Sequence, residues 1–252
     1  MTFTLKNKII LRFQLWLINI AIFTLIIPEA SAQDTVLNKY GLWVIHDVST
    51  LQKTVKQNPA KAMVDLKQTS STLLFDLRYA GTNNFMHQKL YPPIKTTWLR
   101  KAAADSLASV QQELNKAGLG LKIFDAYRPY SVTEKLWEPV QDDRYAADPK
   151  KGSGHNRGIA VDLTIINFNS KEELEMGTRF DNFSDTAHHA FINLPQTILQ
   201  NRLLLKTTME KHGFKALESE WWHYYLPNTA LYELLDIDFK KLKLLNKKNH
   251  DN

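Results

Sequence analysis

Two short segments hold the residue types that metal-assisted hydrolysis needs: SGHNRGIAVDL at 153–163 and EWWHYY at 220–225. A catalytic zinc takes about three protein ligands from histidine, cysteine and carboxylate side chains. It keeps one position open, where a water is acidified towards a pKa of ~7. His155, Asp162 and His223 can supply the three ligands. Glu220 then remains beside them as a base, able to take the proton from that water and pass it to a leaving amine. The chain has no cysteine, so no thiolate competes for the metal and no disulfide stabilises the fold. An apolar core has to do that work.

The elements that must position these residues read as follows. Residues 48–57 are patterned as a helix, and 72–79 (TLLFDLRY) as a strand that ends in the loop AGTNNF. Across 97–117, Leu99, Ala103, Leu107, Val110 and Leu114 recur at helical spacing, and Gly118 supplies the stop. The apolar run 121–126 is a short strand entering Tyr127-Arg128-Pro129-Tyr130, and 131–140 is helical. Residues 141–154 are polar and broken by Pro149, Gly152 and Gly154, which makes them a loop leading to His155. The β-branched content of 158–166 predicts a buried strand carrying Asp162. A helix opens at Pro195, runs to Lys211 and ends before Gly213, and 221–226 closes the core as an aromatic strand.

One geometric difficulty follows from this reading. On a regular strand, residues three apart face opposite sides, yet Glu220 and His223 must both approach one metal. A twist, bulge or strand end is expected there, with an i,i+3 helical placement as the competing outcome. The expected fold class is α+β: a single domain with a mainly antiparallel central sheet, flanking helices and the zinc site at the sheet.

Composition sets the context. The first 32 residues combine Lys6, Lys8 and Arg12, an apolar stretch over 13–27 and Pro28-Glu29-Ala30-Ser31-Ala32, the pattern of a secretory signal peptide cleaved after Ala32. The apolar stretch is shorter than the ~20 residues a membrane span prefers, so no stable span is expected after cleavage. A mature chain from Gln33 has 220 of the 252 residues, enough for one domain with a sizeable core. Its destination is the periplasm or the outside of the cell. The net charge is +6, and the tail from Lys240 carries Lys240, Lys241, Lys243, Lys247 and Lys248 against Asp251 alone. That tail reads as a solvated basic terminus, with contact to anionic lipid or polymer as the lesser reading. No basic-aromatic module accompanies it, so nucleic acid is not an expected partner.

SGHNRGIAVDLT followed at a distance by EWWHY resembles the zinc D-alanyl-D-alanine dipeptidases, relatives of the D,D-carboxypeptidase and endolysin peptidases. FDLRYAGTNNF at 75–85, FDAYRPYS at 124–131, EMGTRFDNF at 175–183 and the stretch Ala187-His188-His189-Ala190 resemble further segments of that family in the same order, so the likeness spans roughly residues 70–226. The resemblance implies one Zn²⁺ per chain on His155, Asp162 and His223, with Glu220 as catalytic base and Arg128 stabilising the charged tetrahedral intermediate. It further implies Asp181 as receiver of the substrate's free ammonium and Tyr79 as a substrate-contacting aromatic. The family motif reads close to SSHSRG around the first histidine. Here Gly154 and Asn156 replace the hydroxyl residues, which puts substrate holding by those positions in question.

The implied domain plan is a signal peptide over 1–32, an N-terminal extension over 33–70 packed on the domain, a dipeptidase domain over 71–239 and a basic tail over 240–252. The implied reaction is zinc-dependent hydrolysis of D-alanyl-D-alanine to two D-alanines by a zinc-bound water. A D,D- or L,D-carboxypeptidase acting on peptidoglycan stems is the alternative, and a zinc-binding module without catalysis the more distant one. Asp76 and Asp125 read as structural, His188 and His189 as packing or supporting residues, and Trp221-Trp222 as core, with one of the pair able to wall the site.

Overall fold

Residues 160–167, AVDLTIIN, are buried at every position but the last. A strand covered on both faces loses the usual alternation of apolar and polar side chains. Around it the chain is arranged as six helices and nine strands among the described residues, which are residues 37–250 of this computed structural model. The signal peptide expected over 1–32 lies outside the described residues.

In chain order the strands are β1 (Val44–Ile45), β2 (Met63–Asp65), β3 (Leu74–Phe75), β4 (Trp98–Arg100), β5 (Leu119–Asp125), β6 (Ala160–Asn167), β7 (Lys215–Leu217), β8 (Glu220–Tyr225) and β9 (Leu234–Leu235). The helices are α1 (Val48–Gln57), α2 (Leu66–Thr69), α3 (Lys101–Lys116), α4 (Tyr130–Val140), α5 (Gln196–Lys211) and α6 (Phe239–His250). The central sheet has the order β3-β5-β6-β8-β7, antiparallel except for the β3–β5 pair, which is parallel. The sheet is therefore mixed. Two small ladders, β1 with β9 and β2 with β4, tie the N-terminal residues to the rest.

Alternation along β6 decides which face does what. Val161, Leu163 and Ile165 point into a core shared with Leu107, Val110 and Leu114 of α3 and Leu205 and Met209 of α5. Each such fully buried aliphatic side chain contributes about 1.5–3 kcal/mol of transfer free energy. Asp162 lies on the other face by the same alternation. A second apolar cluster, built from Leu51, Tyr79, Tyr91, Trp98, Tyr127, Leu136, Leu242 and Leu245, supports the elements around it.

Three expectations change in the structure. The strand predicted over 72–79 is extended and paired only at Leu74–Phe75, and Arg78–Ala80 turns as a 3-10 helix that leaves Tyr79 buried. The helix predicted from 97 starts at Lys101, because Trp98–Arg100 pairs with Met63–Asp65 first. Leu99 fits the helical spacing by chance, and tertiary pairing overrides local propensity. The segment expected to pack on the domain, from residue 37 onward, contributes β1, α1, β2 and α2, and no change is needed there. The tail expected to be solvated is a helix from Phe239, with Phe239, Leu242 and Leu245 buried at spacings of three; its many lysines hid that apolar stripe.

Candidate active site

Three residues with chemistry lie in a row across the sheet. Asp125 of β5 stands opposite Asp162 of β6, and Asp162 stands opposite His223 of β8. Asp125 owes its place to an irregularity: β5 shifts register between Ile123 and Asp125, and Leu121, Ile123 and Phe124 all enter the core under the helices. Without that shift Asp125 would follow Leu121 and Ile123 to the wrong face. The same device solves the difficulty at Glu220. Register shifts between Ala216 and Leu217, so that Leu217 faces Glu220 at the first position of β8. Trp221, Trp222 and Tyr224 are all buried in the core, whereas Glu220 and His223 turn to the cleft, with Glu220 Oε2 4.0 Å from His223 Nδ1. A bulge at a strand end, not a helix, brings the pair together.

His155 arrives from the loop before β6. Its Nδ1 lies 2.7 Å from the Ala126 carbonyl, which only accepts, so Nδ1 carries the proton and Nε2 presents a lone pair. That Nε2 is 3.2 Å from His223 Nδ1 and 3.3 Å from Asp162 Oδ2, while His223 Nδ1 is 2.8 Å from Asp162 Oδ1. Two imidazoles and a carboxylate thus converge, with one ligand atom from each lying within 4.8 Å of the others. Facing lone pairs at these separations need a cation or a proton among them, and two nitrogens with one carboxylate oxygen suit a borderline-soft divalent ion. The donor set therefore fits a metal. Burial acts to raise the Asp162 carboxyl, but the two histidines outweigh it and carry the group below the usual carboxylate range.

Two glycines permit the His155 turn. Gly158 has φ +69°, and a Cβ there would meet Met63 Sδ at 3.0 Å. A Cβ on Gly154 would meet the Ala160 Cβ at 2.8 Å, so a serine at that position requires the loop to shift. Asn156 does not face the cleft. It is fully buried and donates from Nδ2 to the Arg128 carbonyl (2.9 Å) and to Thr133 Oγ1 (2.8 Å), while its Oδ1 accepts from Ser153 N–H (3.0 Å). Its side chain clamps the Arg128 turn to the His155 loop.

Arg128 is held rigidly. Its Nε and Nη2 donate to Asp125 Oδ2 at 3.0 and 2.8 Å, and Asp125 Oδ1 accepts from the Tyr91 hydroxyl at 2.7 Å. The guanidinium lies over the Tyr79 ring, 5.0 Å from its centroid, and Nη2 is 4.0 Å from Asp162 Oδ2. Asp125 is thus structural in the sense expected, with the Arg128 side chain as what it structures. The i,i+3 spacing of Asp125 and Arg128 in FDAYRP was the signal in the sequence.

Asp181 sits at φ +60°, a left-handed conformation that aspartate and asparagine tolerate. Its Oδ1 accepts from the Tyr79 hydroxyl (3.3 Å) and its Oδ2 from Phe85 N–H (3.2 Å). Burial pushes the Asp181 carboxyl up to about 8 and the Glu220 carboxyl up to about 7. Tyr79 links Arg128 and Asp181, its ring under the guanidinium and its hydroxyl on the carboxylate.

All seven predicted site residues, Tyr79, Arg128, His155, Asp162, Asp181, Glu220 and His223, line one cleft with a cavity volume of about 200 Å³. Trp222 lines it too and Trp221 does not. Tyr145, Phe183 and Phe85 form an aromatic wall, with Phe183 5.1 Å from each of the other two ring centroids. Sequence reasoning did not find that wall, because isolated aromatics in loops carry no spacing signal. His188 and His189 are outside the ligand set, His188 lining an adjoining pocket.

Comparison with known proteins gives the family. The family model described as D-ala-D-ala dipeptidase, Peptidase M15, matches residues 59–241. The D-alanyl-D-alanine dipeptidase of Escherichia coli (strain K12) is 36% identical over 177 residues, covering 70% of this chain and 91% of that protein. The D-alanyl-D-alanine dipeptidase of Enterococcus faecium is 33% identical over 144 residues, 49% of this chain and 70% of that one. Its counterpart in Enterococcus faecalis (strain ATCC 700802 / V583) is 29% identical over 171 residues, 60% and 85% respectively. With nearly three quarters of its length matched, the chain belongs to the Peptidase M15 family of D-Ala-D-Ala dipeptidases and is a metallopeptidase hydrolase.

Proposed function

We propose that this protein hydrolyses D-alanyl-D-alanine to two D-alanines in the periplasm or outside the cell, using one zinc ion held by His155, Asp162 and His223. The observation that carries the reading is the convergence of those three ligand atoms beside Glu220 in a cleft that also holds Asp181. The relatives' activity supports the substrate.

When bound, zinc supplies Lewis acidity, lowering the pKa of a water and polarising the scissile carbonyl. Glu220, with its carboxyl near 7 through burial, is matched to accept a proton from the attacking water at neutral pH and return it to the departing amine. Arg128 commits Nε and Nη2 to Asp125, which fixes the guanidinium and leaves Nη1 to meet the developing oxyanion without reorganisation. Asp181 takes the substrate's ammonium, and that ion pair offsets the cost of a buried carboxylate. An acylated amino end would leave Asp181 unpaired, which disfavours a peptidoglycan stem as substrate. The cavity of about 200 Å³ also lies below the ~300–1,000 Å³ usual for larger ligands.

The test is Glu220→Gln. The variant should keep one zinc per chain by elemental analysis and lose at least ~10²-fold in kcat. Turnover near the parent rate would remove Glu220 from the base role.

A further inference from the structure

Helices α1 and α6 pack against one another and bury their inner faces in a common apolar cluster, Leu51 from α1 and Phe239, Leu242 and Leu245 from α6. Their outer faces carry charge of one sign. α1 exposes Lys53 and Lys56, and α6 exposes Lys240, Lys241 and Lys243. Neither helix contains an acidic residue; Asp47 and Asp238 stand only before their first residues. Among the described residues none of these five ammonium groups has a carboxylate within 4.0 Å; eight lysines elsewhere share that state, and what sets these five apart is that two adjoining helices present them with no acidic residue in either. Charges left unmatched together on adjoining helices suit an anionic partner.

The nature of that partner follows from Leu244. It is 53% exposed, on the side of α6 opposite the buried stripe, three and four residues after Lys241 and Lys240 and next to Lys243. A soluble polyanion gains nothing from an exposed leucine, but a bilayer surface takes both: phosphates for the lysines and the acyl boundary for the leucine. Among the described residues no helix is long and apolar enough to cross a membrane, so this contact is peripheral. The family match ends at residue 241, so Lys243 and Leu244 lie outside what the hydrolytic family has in common. We propose that the outer face of α1 and α6 docks the protein reversibly on a bilayer rich in anionic phospholipid.

The test is co-sedimentation of the purified protein with phosphatidylglycerol-containing vesicles and with phosphatidylcholine vesicles, at low and high salt. D-alanyl-D-alanine hydrolysis of each variant serves as the check on folding. Each lysine near the surface is worth about fivefold in partitioning, so Lys240→Gln, Lys241→Gln and Lys243→Gln together should weaken binding to anionic vesicles on the order of 100-fold. Leu244→Ser should weaken it several-fold at all salt concentrations, and hydrolysis should be unchanged in both variants. Equal binding to the two kinds of vesicle, anionic binding untouched by the lysine changes, or indifference to Leu244→Ser would each overturn the proposal. So would binding to a soluble polyphosphate with none to vesicles.

Discussion

Replacing Asp181 by asparagine should make the metal-free protein more stable while removing its activity, and the stability gain should depend on pH. Asp181 ionises near 3.8 in an unfolded chain and is pushed up to about 8 by burial in the folded one. Between those values the native state binds the extra proton. Stability attributable to this group is therefore complete below pH ~4, falls as pH rises, and is fully lost above pH ~8. At about 1.4 kcal/mol for each pH unit of displacement the loss approaches ~6 kcal/mol, and water entering the cleft reduces it to on the order of 3 kcal/mol. Asparagine cannot ionise, tolerates the same left-handed backbone, and can still accept from Phe85 N–H. The shifted Glu220 is common to both proteins, so most of its own pH effect cancels in the difference.

Thermal unfolding of chelated parent and Asp181→Asn at pH 5 and pH 8.5 measures the effect. The variant should gain little at pH 5 and about 6–12 °C at pH 8.5, at ~2–4 °C per kcal/mol for a domain of this size. Hydrolysis of the free dipeptide should fall ~10–100-fold, mainly through KM, as a charged hydrogen-bond partner is lost. A Tm difference that is the same at both pH values would refute the assignment of a buried, proton-holding carboxyl to Asp181.

Two further substitutions probe the support of the site. Asp125→Asn leaves the buried Arg128 guanidinium without its counter-charge, so the protein should lose about 3–5 kcal/mol in denaturant unfolding and ~10²-fold or more in kcat. Asn156→Ala deprives the Arg128 carbonyl, Thr133 Oγ1 and Ser153 N–H of partners and should cost about 2–4 kcal/mol with KM nearly unchanged. A rise in KM without loss of stability would instead make Asn156 a substrate contact.

The residues that converge in the cleft were legible because they are confined to two short segments, and the strand at 160–167 because its β-branched run is long. What the sequence left open was aim. Nothing in LGLKIFD says that the strand slips before Asp125, and nothing in EWWHYY says which way Glu220 turns; both depend on which neighbour the strand pairs with. The same holds at Trp98–Arg100, where pairing with β2 overrides a helical pattern, and at Asn156, whose polar side chain reads as accessible but is consumed in joining two loops. The helix at the C-terminus was hidden for a different reason: eight of its twelve residues are polar or basic, and the buried stripe is only three residues wide.

The proposed activity is cleavage of a free dipeptide in this cleft by metal-assisted hydrolysis. Its most direct test is release of D-alanine from D-alanyl-D-alanine and from the N-acetylated dipeptide, by purified protein with zinc and with chelator. Rapid release from the free dipeptide is expected, with at least ~10-fold slower release from the blocked one and loss of both with chelator. Preferred cleavage of the acetylated substrate would move the assignment to a carboxypeptidase, and undiminished cleavage in chelator would contradict the role given to His155, Asp162 and His223.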